Sequence, residues 1–172
     1  MLQLSHIDEV CMSIESQGLS LYEAARQKGI PFTSHNEPVD CTISVRSMKF
    51  HYLEWGNSNH QTILMLHGNA QQAHSWDFIS LPLSEDYHVI ALDQRGHGDS
   101  DWSPNQDYST QEQVKDIEAV VKYLNLDNFH LVGHSMGGRN SYAWASQNSH
   151  KLASLTIVDT GPDTQSVGRR RM

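Results

Sequence analysis

Gly133-His134-Ser135-Met136-Gly137 sets a serine between two glycines, each two residues away, where a β-rich run meets the helix-compatible run over residues 138–147. A sharp strand-to-helix turn needs those glycines, because side chains there would collide as strand and helix approach. The serine backbone would be strained and its hydroxyl raised above the sheet. At a helix amino terminus it would also meet the positive dipole end and free N–H groups, with the Met136 amide placed to receive a developing oxyanion. The chemistry on offer is nucleophilic attack by Ser135 on an acyl carbon. The same pattern fits a glycine-rich turn carrying an inert serine, so the reading depends on other groups.

A second group is His67-Gly68-Asn69, at the end of an earlier β-rich run. Gly68 lets that loop fold close, and the backbone amide of Asn69 is the candidate second oxyanion donor. His67 precedes the serine and sits where a loop needs shaping, which favours a packing role over that of a base.

These groups need strands to hold them. Thr62–Leu66, His88–Leu92 and residues 129–132 are short apolar runs without alternation, as expected of strands buried on both faces of a parallel sheet. Residues 155–158 form a further strand, stopped by Pro162. Between them, residues 109–124 carry Val114, Ile117, Val120, Val121 and Leu124 on one helical face, with Ser109 and Glu112 in capping-box relation. Residues 42–45 and 49–55 predict an antiparallel hairpin turning at 46–48, at a sheet edge. Residues 1–41 read as a helical extension: Ile7, Val10, Cys11 and Ile14 at helical spacing, then a short helix opened by Ser20 and Glu23 and closed by Gly29 and Pro31. The alternation of strand and helix signals predicts an α/β class.

With 172 residues and 38% hydrophobic content, one core is the expectation. Twelve Lys plus Arg against 20 Asp plus Glu give a formal charge of -8, which repels nucleic-acid phosphates and anionic membranes. No apolar stretch is long enough for a membrane span, and the polar start lacks a signal-peptide layout. Cys11 and Cys41 lie in no metal-like spacing, so free thiols in a reducing cytoplasm are expected, and neither a metal nor a cofactor is called for. Trp76, Trp102 and Tyr108 suit either an acyl pocket or plain packing.

His67-Gly68-Asn69, Asp93-Gln94-Arg95-Gly96-His97-Gly98-Asp99-Ser100, Gly133-His134-Ser135-Met136-Gly137-Gly138 and Val158-Asp159-Thr160-Gly161-Pro162, in that order and spacing, resemble successive signatures of the α/β-hydrolase superfamily, in its lid-bearing esterase, lactonase and epoxide-hydrolase-like branch. The resemblance covers residues 42–165. It implies an α/β fold with a mostly parallel sheet and an antiparallel amino-terminal hairpin, truncated after the sixth strand, followed by the start of a lid over residues 166–172. It implies that Arg95 and its glycines shape the floor beneath the nucleophile. A serine, where relatives that process epoxides or halides carry an aspartate, implies hydrolysis of small-molecule carboxylic esters or related acyl substrates through an acyl-serine.

That mechanism needs an acid and then a histidine after the serine in the chain. All eleven histidines lie at or before His150, which is expected at the opposite end of the sheet. Asp159 follows the sixth strand, a place from which some members of the superfamily supply the acid; a turn-capping role through Asx-type bonds is the alternative. The basic run 168–172 fits a lid cut short better than a nucleic-acid signal. The expectation is therefore a fragment of an ester hydrolase whose longer form brings the histidine, or else a non-catalytic binding or regulatory remnant.

Overall fold

The computed structural model describes residues 18–161. The described residues divide into two units at the boundary between Pro31 and Phe32, so residues 32–41, read from sequence as part of the helical extension, go with the sheet. In the first unit, α1 (Leu21–Gln27) begins at Ser20 with the full reciprocal capping box to Glu23. The helix expected around Ile7 to Ile14, and the lid start, lie outside the described residues.

The second unit is built on one six-stranded sheet, in the order β1-β2-β4-β3-β5-β6. β1 (Val39–Val45) and β2 (Met48–Trp55) pair antiparallel across a two-residue turn, Arg46 and Ser47. Both turn residues have positive φ, 51° and 58°, the mirror-image turn that matches strand twist and normally selects Asn-Gly. Arg46 accepts that conformation with its guanidinium anchored on Glu112 and Asp116 across the sheet edge.

β2 then pairs antiparallel with β4 (His88–Leu92), and β4, β3 (Thr62–Leu66), β5 (Phe129–His134) and β6 (Leu152–Val158) run parallel. β3 is followed by a 3-10 turn (Ala73–Trp76) and α2 (Asp77–Leu83), β4 by α3 (Thr110–Tyr123), and β5 by α4 (Met136–Asn148). One face of the sheet holds the core. Phe50, Leu64, Leu66, Ile90, Leu92, Phe129 and Leu131 meet Ile117, Val120 and Val121 of α3 and Trp144 and Ala145 of α4. Each Leu, Ile, Val or Phe side chain among them contributes about 1.5–3 kcal/mol on burial.

Two sequence expectations need correction. β3 and β4 are buried on both faces, whereas β5 alternates buried with half-buried residues, and β6 is mostly exposed. On the face away from α3 and α4, Ile63, Met65, Val132, Thr156 and Val158, with Trp76 and Ile79, border an apolar groove of about 350 Å³. At α3, Ser109 accepts from the Glu112 amide, but the Glu112 carboxylate is drawn to Arg46 and Lys115 instead of returning to the cap.

Arg46 and the buried Arg95 converge on Asp116, which binds Arg95 through both oxygens. Asp116→Ala is expected to destabilise the chain by about 3–5 kcal/mol, because it strands the buried Arg95 charge. Urea unfolding monitored by circular dichroism measures this.

Candidate active site

β5 delivers Ser135 and α4 carries the chain away from it. Ser135 has φ 50° and ψ −109°, a strained combination for a residue with a side chain. Bonds on both sides hold it: Ser135 N–H donates to the Val158 carbonyl at the end of β6 (2.9 Å), and Gly137 N–H donates to the His67 carbonyl beyond β3 (3.1 Å). The close approach leaves no room for side chains. A Cβ on Gly133 would lie 2.5 Å from the Gly137 carbonyl oxygen, and one on Gly137 would lie 2.2 Å from that of Leu66. Ser135 occupies the N-cap position of α4 without spending its hydroxyl on a capping bond. Met136 is the first helical residue, and its amide is among those an α-helix leaves without an intrahelical acceptor.

The loop after β3 is wired from below. His67 is fully buried, its Nδ1 donates to the Gly68 carbonyl (2.8 Å), and its Nε2 accepts from the Gln94 amide (3.0 Å). Those partners fix the neutral Nδ1–H tautomer, and burial holds the ring's pKa down at about 4. Gln94 Nε2 also donates to the His67 carbonyl (2.7 Å), and Asn140 of α4 donates to both Gln94 and Gln113 (2.8 Å each). Gly68 is buried, while Asn69 is exposed at the tip of the loop. Gln71 Oε1 accepts from Gly68 N–H (2.8 Å) and from His134 Nδ1 (2.9 Å).

The loop after β4 is knotted around buried Asp93. Its Oδ1 accepts from the Ala73 amide (2.6 Å), and its Oδ2 from His51 Nδ1 (2.8 Å) and the Asp99 amide (3.0 Å). His51, Asp93 and Asp99 are the one group of potential metal ligands found among the described residues. Each Asp93 oxygen already accepts an N–H, so an ion would have to displace the bonds that shape the loop. Arg95 lies beneath, paired with Asp116 and donating to the Asp107 carbonyl.

Asp159 follows β6 directly, is exposed, and has φ 57°. Its Oδ2 lies 3.5 Å from Nε2 of His134. Ser135, Met136, His67, Gly68, Gly137, His134 and Asp159 are thus tied together at the carboxyl ends of β3, β5 and β6. No described side chain is hydrogen-bonded to the Ser135 hydroxyl, and His150 stands at the opposite end of the sheet, just before β6 begins. Of the three aromatic residues, Trp76 borders the apolar groove, Tyr108 packs on Gly96, and Trp102 is exposed. Sequence reading missed Gln71, Gln94, Gln113 and Asn140. Uncharged amides follow no periodicity, and only Gln94, inside the Asp93-to-Ser100 segment, lay in a recognisable motif.

Residues 61–170 match the family model described as the alpha/beta hydrolase fold. N-formylmaleamate deformylase of Pseudomonas putida is 37% identical over 128 residues, covering 74% of this chain and 47% of that protein. An esterase of Mycobacterium tuberculosis is 31% identical over 142 residues, covering 83% and 45%. Among solved structures, the thioesterase domain from the curacin biosynthetic pathway superposes with a TM-score of 0.71 at 29% identity, covering 78% of this chain and 51% of that one. The chain spans about half the length of the curated relatives it matches. Among the described residues no helix is long and apolar enough to cross a membrane.

The buried neutral His67 makes stability depend on pH. As pH falls from 6.5 to about 4, the unfolded chain binds a proton that the folded chain refuses. The contribution is complete above the upper limit and is lost through this window, by as much as about 3 kcal/mol. Urea melts across the window are expected to show this slope in the unaltered chain and a flatter one in His67→Gln.

Proposed function

Since the chain belongs to the α/β-hydrolase fold family, by the match over residues 61–170, we propose that it carries the nucleophile and oxyanion half of a hydrolase acting on carboxylic esters or related acyl substrates. The observation that carries this reading is Ser135 itself: a strained, firmly held serine at a strand-to-helix turn, with its hydroxyl left free of capping.

Ser135 Oγ attacks the acyl carbon while a base takes its proton, and the carbonyl oxygen becomes an oxyanion. The amides of Met136 and Asn69 receive that charge. Collapse breaks the bond to the leaving group, which departs with the proton, and leaves an acyl-serine. Water, deprotonated by the same base, then attacks the acyl carbon; the acid is released and Ser135 regains its proton.

His67 is engaged at both ring nitrogens and His134 with Gln71, while His97, whose ring lies 5.0 Å from that of His67, is turned through Nδ1 to the Arg95 carbonyl, and none of the three is hydrogen-bonded to Ser135. The base is therefore assigned to the remainder of a longer protein, in keeping with relatives about twice this length. Asp159, exposed beside His134, serves either as the acid that orients the incoming histidine or as a partner of His134 in the turn.

A fluorophosphonate probe is expected to label Ser135 slowly in the 172-residue chain and not at all in Ser135→Ala, read by peptide mass spectrometry. Turnover of p-nitrophenyl acetate by the same chain is expected near background. Rapid turnover abolished in Ser135→Ala would mean that a base is already at hand. Labelling absent from the unaltered chain would favour a non-catalytic binding module.

A further inference from the structure

The amide of Gly68 is spent. Its N–H donates to Gln71 Oε1, and its carbonyl accepts from His67 Nδ1 and from the Gln71 amide (3.2 Å). Gly68 is thus held at the peptide before it and at the peptide after it, and the next amide that the loop after β3 can offer to a ligand is that of Asn69. Gln71 Oε1 accepts a second bond from His134 Nδ1, the residue immediately before the nucleophile. One amide oxygen therefore ties the loop to the turn. The fit is close: a Cβ on Gly68 would stand 2.7 Å from His134 Nδ1 and 2.8 Å from Gln71 Oε1. On its other side the His134 ring faces Asp159, with Nε2 3.5 Å from Oδ2 at the end of β6.

We propose that Gln71 is a positioning residue: by holding Gly68 N–H and His134 Nδ1–H on one oxygen, it locks the loop after β3 to the Ser135 turn and leaves the Asn69 amide to meet the oxyanion. The donor role of Asn69 rests on the acyl-serine reading, whereas the clamp itself does not. Gln71 touches no reacting atom and acts through Gly68 and His134. It lies outside every motif legible in the sequence.

Amide hydrogen exchange on the full chain tests the clamp independently of chemistry at Ser135. The Gly68 amide is expected to be protected in the unaltered chain, to exchange about tenfold faster or more in Gln71→Ala, and to regain protection in Gln71→Glu, whose carboxylate can accept the same two bonds. An unprotected Gly68 amide in the unaltered chain, or equal exchange in Gln71→Ala, overturns the clamp. The second readout is the fluorophosphonate reaction resolved into its limiting rate and its half-saturating concentration. Gln71→Ala is expected to lower the limiting rate by about tenfold or more, with little change in half-saturation or melting temperature. An unchanged limiting rate alongside faster Gly68 exchange overturns the positioning role. Absence of any labelling in the unaltered chain counts against the acyl-serine reading, and with it the Asn69 role, while the exchange data still decide the clamp.

Discussion

Two backbone bonds, from Ser135 N–H to the Val158 carbonyl and from Gly137 N–H to the His67 carbonyl, fasten the turn after β5 to the strands on either side of it. A serine at positive φ is costly by about 1–3 kcal/mol and persists only where its surroundings over-determine it. Here parallel pairing of β3, β5 and β6 supplies that constraint, because it brings three strand ends level and lets two glycines close the remaining gap. Everything proposed about chemistry depends on this grip: it exposes the hydroxyl, starts α4 at the right point, and puts the loop after β3 beside it.

Beneath the turn the protein uses uncharged polar groups where it could have used apolar packing. His67, Gln94, Asn140 and Gln113 form a continuous buried chain from the loop after β3 to α3 and α4. Such networks specify geometry, since each member has only one arrangement that satisfies its partners. The charges sit further out. Arg95 and Arg46 share Asp116, tying the loop after β4 and the first hairpin to the same helix. The division suits the proposed chemistry: amides and a neutral imidazole surround the turn, and full charges stabilise its supports.

Wherever the physics was local, the sequence was informative. The apolar runs became β3 and β4 at the expected limits, the helix over 109–124 formed with its apolar face inward, and Ser20 with Glu23 closed its box. Readings failed where a distant partner decided the outcome. Glu112 was placed to complete a box with Ser109, yet Arg46, 66 residues away, and Lys115 took its carboxylate. β5 has the composition of a strand buried on both faces, but His130 and Val132 face the groove beside α2 rather than a packed helix. Gln71 could not be singled out at all, because its importance comes from standing opposite His134, 63 residues further along the chain.

The strand order has a consequence for where a ligand can lie. From β3 the chain moves to β4 on one side and then crosses back over β3 to reach β5 on the other. α2 lies on the face lined by Ile63 and Met65, and α3 and α4 lie on the face lined by Leu64 and Leu66. The connections leaving β3 and β5 therefore depart towards opposite faces, and such a switch in winding is where open parallel sheets as a class receive their ligands. That place is set by winding direction, before any side chain is chosen, and Ser135 stands at it.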